Sequence, residues 1–389
     1  MPTAEGILEG STRLFPPSTN LAKPVGAPGA KAKGVPFYNP GMALNRDLSL
    51  LLVAAEAARK GRELDVADVL AGTGARGLRL AHELGQALIV HANDADPTAL
   101  DAIRRGAKAN SIPEGRIRPV HGDAHAFLAS RRFDVVDVDP YGSPMPFLDG
   151  AVRATRHDGL LCVTATDTGA LAGTYPRVCR RRYDAHHGLH AAPWRAEVGL
   201  RILAGAVVRS AARFDRVATP LLCVQHGHWM RVVARIEDGR KDADAALKRL
   251  ANAAVDPETG NGRLLAQAAT EAKGWAGPLW GGPLHDAGTV QALLAARATQ
   301  GVARARDVDG LLALLVQESS APPFWLVPDR LQTALGQPPR RDRLLVRLAE
   351  AGFQAARTHL DPQGVRTDAS MADLKALWGP SAVRANDKP

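Results

Sequence analysis

Residues 64–85 read LDVADVLAGTGARGLRLAHELG, and this stretch decides the fold. A short β-branched run passes directly into glycines, and LRLAHELG then places apolar residues at helical spacing. Between them, Gly72-Thr73-Gly74-Ala75-Arg76-Gly77 spells G-x-G-x-x-G. In that pattern glycines turn the backbone sharply and let it approach a ligand closely. Strand, glycine loop and helix in this order predict a β-α unit of a ligand-binding parallel sheet.

The flanking sequence repeats the theme. RDLSLLLVAAEAARKG (46–61) is apolar at helical spacing and stops at Gly61. ALIVHAND (87–94) reads as a strand, and PTALDAIRRGAKANSI (97–112) as a helix with Pro97 in its first turn. IRPVHGDA (117–124) and FDVVDVDPYG (133–142) are two more strands; AVRATRHDG (151–159) reads as a helix before the strand LLCVTATD (160–167). This alternation predicts an α/β, parallel-dominated, Rossmann-like sheet with helices on both faces. Its ligands belong beyond the carboxyl ends of the strands. A long helix (196–214) and a strand pair turning at Gly227 (216–237) close the domain.

After Glu237 the texture turns polar and Gly-rich. A boundary near Ile236 divides a main domain, 41–236, from a smaller C-terminal α+β domain, 237–389. The latter has helices near 287–299, 307–317 and 340–352, and an irregular THLDPQGVRTDAS near its end. Residues 1–40 are rich in Pro, Gly and Lys and follow neither period. Their Phe15, Phe37 and Tyr38 leave two readings open, a loose tail or a segment that packs or binds.

The chain has 389 residues, 46% hydrophobic and 23% charged, which excludes a fully disordered or collagen-like protein. Lys and Arg outnumber Asp and Glu by 49 to 40, and the net charge of +9 favours a polyanionic partner. Cys162, Cys179 and Cys223 are too few and scattered for a disulfide framework or zinc cluster, which points to a reducing, cytoplasmic setting. No run approaches the roughly 20 apolar residues of a membrane span, and the N-terminus lacks the basic-then-apolar order of an export signal.

The chemistry-bearing residues lie at strand ends. Asp94, seventeen residues past Gly77, stands where a carboxylate accepts both hydroxyls of an adenosine ribose. Glycine loop and acid together fit a nicotinamide dehydrogenase or an S-adenosylmethionine methyltransferase. At the third strand end, Asp123 is placed to receive an adenine amino group, and Ala124 to donate its backbone N–H. At the fourth stand Asp139, Pro140, Tyr141 and Gly142. The exocyclic amine of a nucleobase is a poor nucleophile, because its lone pair is delocalised into the ring. A carboxylate binds its N–H bonds and takes a proton late. A following proline turns nearby carbonyls toward it, and an aromatic ring stacks the base. Asp139, Pro140 and Tyr141 supply these parts in order, which favours methyl transfer over hydride transfer. A catalytically inert RNA-binding protein is the third alternative, and the intact Asp-Pro-Tyr argues against it.

Seven blocks carry a resemblance: VPFYNPGMALNRDLS (35–49), GTGARG (72–77), VDPYGSPMPFLD (138–149), VTATDTGALAG (163–173), GPLWGGPLHD (277–286), PPFW (322–325) and RTHLDPQGVRTDA (357–369). Together they resemble the tRNA (guanine-26, exocyclic 2-amino) dimethyltransferases. The resemblance implies a class I methyltransferase fold, S-adenosylmethionine as cofactor, and tRNA as partner with no obligatory protein partner. It implies mono- then dimethylation of guanosine 26, the base being flipped out of the folded tRNA. By the same resemblance Arg46 and Arg76 contact the cofactor, with Gly72 and Gly74 framing it. Asp94 matches the ribose acid, Asp123 and Ala124 the adenine contacts, Asp139 the catalytic acid and Tyr141 the ring beside the base. Phe37 belongs to an N-terminal loop closing on the active site. Many relatives carry a four-cysteine zinc site before GPLW; residues 238–280 have no cysteine, so no metal is expected.

Arg180, Arg181 and Arg182, and Arg340 and Arg341, lie in the densest basic runs, RVCRRRYD (177–184) and PPRRDRLLVR (338–347). Each is a candidate for tRNA phosphate contact, with the C-terminal domain gripping the tRNA body. Cys179, among arginines, has the surroundings of a reactive thiol, but nothing supplies a base for nucleophilic catalysis. His186, His187 and His190 cluster without a matching carboxylate or cysteine spacing, and His226 and His228 read as structural. Trp275 and Trp280 read as core anchors.

Overall fold

The computed structural model describes residues 6–17, 36–256, 261–266, 274–331 and 340–378. Residues 18–35 of the N-terminal segment lie outside the described residues, as do 257–260 and 267–273 of the polar region and Pro338 and Pro339 of the second basic run.

The chain opens with a hairpin, β1 (Ile7–Glu9) and β2 (Thr12–Leu14), then enters α1 (Ala43–Lys60). Gly61 ends α1 in the left-handed conformation at φ 61°, its N–H returning to the Ala57 carbonyl. The alternation follows: β3 (Leu64–Asp68), α2 (Ala75–Glu83), β4 (Leu88–Asp94), α3 (Pro97–Ala109), β5 (Ile117–His121), α4 (Ala124–Ser130), β6 (Phe133–Val138), α5 (Met145–Ala154) and β7 (Thr155–Ala165). Asp96 and Asp123 cap α3 and α4 by accepting backbone N–H bonds, the usual service of an aspartate before a helix. After β7 come a single turn, α6 (Thr168–Leu171), then α7 (Pro176–Tyr183), β8 (His186–His187), α8 (Arg195–Ala212), β9 (Arg216–His226) and β10 (Trp229–Asp238).

The central sheet has seven strands in the order β5-β4-β3-β6-β7-β10-β9. The first five run parallel, and β10 is antiparallel to both β7 and β9. Strands β4 and β6 are buried almost throughout, as expected where helices cover both faces. The order reverses at β3, so the crevice opens between the carboxyl ends of β3, β4 and β6.

The remaining chain forms α9 (Arg240–Lys248), β11 (Leu250–Val255), β12 (Gly262–Ala266), β13 (Trp275–Trp280), α10 (Ala287–Thr299), α11 (Ala305–Glu318), α12 (Arg341–Glu350), β14 (Ala356–Thr358), β15 (Asp361–Arg366) and α13 (Met371–Trp378). A second sheet, β12-β11-β13-β8, borrows β8 from before Ile236. One apolar core, from Val136 and Val163 through α8 to Leu279, Trp280 and Trp325, runs across both sheets. Leu344, Leu348, Val365, Leu374 and Trp378 form a small core of their own near the C-terminus. Among the described residues no helix is long and apolar enough to cross a membrane.

Two local expectations are corrected. The helix expected over 151–159 ends at Ala154, and β7 begins at Thr155. Arg156 is drawn into the strand by ion pairs with Asp65 and Asp134. Asp158 turns at φ 55°, where Arg59 and Lys60 pair with its carboxylate. The stretch expected to be irregular, 358–370, contains β15 and the turn that joins it to β14 in a hairpin. Its Val365 also exchanges backbone bonds with Leu326.

Candidate active site

The glycine loop leaves β3 and is held from three sides. Val69 donates its N–H to the Asp137 carbonyl, Ala71 to Asn93, and Thr73 to Phe37. Gly72 and Gly74 have φ of 55° and 75°. A Cβ on Gly72 would lie 2.6 Å from the Phe37 carbonyl oxygen, and one on Gly74 2.4 Å from Ile103 Cγ1. The loop therefore needs glycine twice, for conformation and for close approach.

Asp94 stands at the tip of β4. Its Oδ2 accepts the Gly72 N–H at 2.8 Å and its Oδ1 the Asp96 N–H at 2.9 Å. A carboxylate has about four acceptor sites, so both oxygens retain capacity for hydroxyl groups. Asp123 uses Oδ1 for the His125 and Ala126 N–H groups. The Ala124 N–H, at the first residue of α4, has no intrahelical acceptor.

Asp139 follows β6, with Pro140 buried behind it and the Tyr141 ring 63% exposed. The Phe37 ring meets Tyr141 edge-on, with centroids 6.3 Å apart. Gly142 is laced to the end of β7: its N–H donates to Thr166 Oγ1 at 2.6 Å, and the Thr166 N–H returns to the Gly142 carbonyl at 2.9 Å.

Arg76 reaches Asp139 from the glycine loop, its Nη2 bonding Oδ2. The same guanidinium donates to Asn45 Oδ1 at 2.9 Å and to Ser49 Oγ, and lies 3.4 Å from Asp137. Arg231 closes the network, pairing with Asp137 and donating to Thr164 Oγ1 and Ser49 Oγ at 2.8 Å each. Asp137 is fully buried; burial pushes its carboxyl up, but Arg231 and Arg76 outweigh this and hold it below the usual range. Asp68, its partner in the β3–β6 register, is pushed the other way, to about 7, by burial above all. Asn45, Ser49, Asp68, Asp137 and Arg231 were not anticipated. Their signal is polar side chains inside otherwise apolar runs, such as Arg231 in WMRVVA.

Arg46 is turned toward the N-terminal hairpin. Its Nε and Nη2 each bond the Glu9 carboxylate at 2.6 Å, and Nη2 also donates to the Asn39 carbonyl. Tyr38 donates its hydroxyl to Glu9 at 2.8 Å, and Asn39 bonds His228 at 3.2 Å. These contacts fix the segment carrying Phe37.

The model of the N2,N2-dimethylguanosine tRNA methyltransferase family matches residues 23–378. The chain belongs to this family. The tRNA (guanine(26)-N(2))-dimethyltransferase of Methanothermobacter thermautotrophicus is 34% identical over 360 residues, which span 89% of this chain and 93% of that protein. The one from Pyrobaculum aerophilum is 36% identical over 342 residues, spanning 87% and 88%. The solved complex of Trm1 from Pyrococcus horikoshii with S-adenosyl-L-methionine is similar at a TM-score of 0.81 and 31% identity, covering 94% of this chain and 97% of that one.

Other candidates of this family member sort by burial. Arg180, Arg181 and Arg182 are exposed on α7. Arg182 pairs with Asp167 at 2.9 Å, and Asp167 also accepts the Tyr183 hydroxyl, which in turn accepts from Ser143 at 3.1 Å. Arg340 is exposed at the start of α12, while Arg341 bonds Asp342 and the Pro362 carbonyl. A reactive Cys179 is corrected: the thiol is fully buried, and burial pushes it up to about 12. His187 is buried and pushed down to about 4 by burial, and His186 packs on Trp275 with centroids 4.6 Å apart.

Among the described residues one group has metal-like spacing, His285, Glu318 and His359, with ligand atoms within 4.8 Å. Its facing atoms are engaged with one another, while the buried His285 Nδ1 has no hydrogen-bond partner among the described residues. The Gln225 N–H donates to His359 Nε2 at 3.3 Å, which leaves Nδ1 to donate to Glu318 at 2.7 Å. His285 Nε2 bonds the same oxygen at 3.0 Å. The group ties β9, α11 and the β14–β15 turn together.

Proposed function

We propose that this chain methylates the exocyclic 2-amino group of guanosine 26 in tRNA, once and then again, with S-adenosyl-L-methionine as donor. The observation that carries the reading is Asp139 held by Arg76 at the carboxyl end of β6, beside the Phe37–Tyr141 pair. The donor fits the residues present. Asp94 has acceptor capacity for ribose hydroxyls, Asp123 and the Ala124 N–H suit an adenine edge, and Gly72 and Gly74 bring the backbone close. Arg76 is the cation for its anionic end, and Arg46 serves by fixing Phe37 over the loop. When bound, the donor supplies a sulfonium methyl.

Asp139 Oδ2 faces Arg76, which leaves Oδ1 for the amine. When the donor's methyl is transferred to the amine nitrogen, the Asp139 carboxylate would take up the proton that the nitrogen loses. The secondary amine of the first product retains one N–H, so the same carboxylate serves the second transfer. Tyr141 and Phe37 hold the flipped base flat, and orientation supplies much of the rate.

Residues 1–40 act as the loop closing on this site, 41–236 as the catalytic domain, and 237–389 as the domain gripping tRNA, with α7 and Arg340 offering phosphate contacts. A tRNA substrate and three thiols fit a cytoplasmic enzyme. Incubating the full chain with labelled donor and unmodified tRNA transcript, then digesting to nucleosides, is expected to give N2-methylguanosine first and N2,N2-dimethylguanosine later. A transcript with adenosine at position 26 accepts no label. Label elsewhere, or on that transcript, contradicts the reading.

A further inference from the structure

The loop after β7 carries a feature that the chemistry above leaves unused. Tyr175 is 60% exposed, and its hydroxyl has no hydrogen-bond partner among the described residues. The residue is nevertheless firmly placed. Its N–H donates to the Gly169 carbonyl at 3.2 Å, and its own carbonyl accepts the N–H groups of Val178 and Cys179 at 3.0 Å each. An edge of the ring lies so close over Gly169 that a Cβ there would sit 2.9 Å from Tyr175 Cε2. Arg177, Arg180 and Arg181 follow, all exposed and without an ion pair among the described residues. An open ring at the head of unpaired cations is the chemistry of a single-stranded nucleic acid platform.

This platform is braced against the catalytic loop. Ser143, two residues past Tyr141, donates to the Tyr183 hydroxyl at 3.1 Å; Tyr183 and Arg182 both bond Asp167. The Gly142–Thr166 exchange joins the two loops directly. Tyr141 and Tyr175 therefore stand on loops from adjacent strands, tied by hydrogen bonds.

The geometry points to Tyr175 as a second stacking residue, which takes a base of the same tRNA near the extruded guanosine while the α7 arginines hold the backbone. This rests on the function proposed above. It gives the RNA a fixed register on the rim, so that guanosine 26 rather than a neighbour meets Asp139.

The test compares the full chain with Tyr175→Ala, Tyr175→Phe and a triple Arg177→Ala, Arg180→Ala, Arg181→Ala variant. Binding of unmodified tRNA transcript is measured across a salt series, alongside donor affinity and melting temperature. Tyr175→Ala is expected to raise the tRNA Kd on the order of tenfold with an unchanged salt slope, and Tyr175→Phe to stay near the parent. The triple variant flattens the slope. Donor affinity and melting temperature stay parental for both Tyr175 variants. Parental tRNA affinity in Tyr175→Ala, or equal losses in Ala and Phe, overturns the stacking role. Failure of the parent itself to methylate guanosine 26 in the same preparation overturns the underlying function instead.

Discussion

Arg76 and Asp139 are 63 residues apart and form an ion pair at the mouth of the sheet, Nη2 to Oδ2. The arginine comes from the glycine loop and the aspartate from the tip of β6, so the pair ties the loop to the end of that strand. Arg76 is itself fixed by Asn45, Ser49 and Asp137. It orients one carboxylate oxygen, and in the proposed reaction the other oxygen is the one that meets the amine.

Replacing Arg76 with alanine is expected to lower kcat/KM by roughly 100-fold or more through lost orientation. The affinity for tRNA stays near parental. Arg76→Lys recovers little, because an ammonium cannot span the same acceptors as a planar fork. Single-turnover methylation, with tRNA binding measured in parallel, checks this. Parental turnover in Arg76→Lys contradicts it.

Asp68 makes stability depend on pH. Burial, helped by Asp137 and Asp139 and opposed by Arg76, raises its folded pKa from 3.8 to about 7. A raised acid stabilises the fold fully below the unfolded value and loses that contribution as pH climbs to the folded one. Asp68→Asn imitates the protonated form. Its stability relative to the parent is therefore expected to rise between about pH 4 and 7 and to level above, by up to about 1.4 kcal/mol per pH unit. Urea unfolding at several pH values checks this, and a flat difference contradicts it.

Glu9 works with the opposite sign. Burial alone would push it up, but Arg46 and Arg79 bring it down to about 2. Its contribution is present above the unfolded value of 4.5 and vanishes as pH falls through 2. Glu9→Gln is expected to speed proteolysis of the N-terminal segment at pH 7 and to lower kcat/KM about tenfold, since Phe37 loses its anchor. An unchanged cleavage rate at pH 7 contradicts the clamp.

The arginines of α7 divide into two roles. Arg180 and Arg181 are exposed and have no ion pair among the described residues, whereas Arg182 braces Asp167. Arg180→Ala and Arg181→Ala are each expected to weaken tRNA binding and reduce the salt slope by about one. Arg182→Ala is expected to act more on kcat, by loosening the Asp167–Tyr183–Ser143 chain. Equal effects of all three on Kd alone contradict the division.

The sheet was legible because its signals are local. Glycines after a β-branched run, Gly61 ending α1 and Pro97 in the first turn of α3 all act within a few residues. The strand-end placement of Asp94, Asp123 and Asp139 follows from those same elements. What escaped reading is long-range pairing. Arg46 with Glu9, Arg76 with Asp139 and Arg231 with Asp137 join distant segments, and no spacing rule reveals which buried charge meets which. The start of β7 was missed because Arg156 and Asp158 are held by ion pairs with other strands and with the end of α1. The β14–β15 hairpin was missed because its short strands gain their order from Leu326 and from Glu318, which pairs with His359.

The most direct measurement is the single-turnover rate of methyl transfer to guanosine 26 by Asp139→Asn. The amide keeps the shape and can hold the amine, but it cannot accept a proton. With donor and tRNA affinities within about threefold of the parent, the rate is expected to fall on the order of 1,000-fold. A rate within about tenfold of the parent, below the contribution general-base catalysis makes, would mean that Asp139 is not where the proton goes.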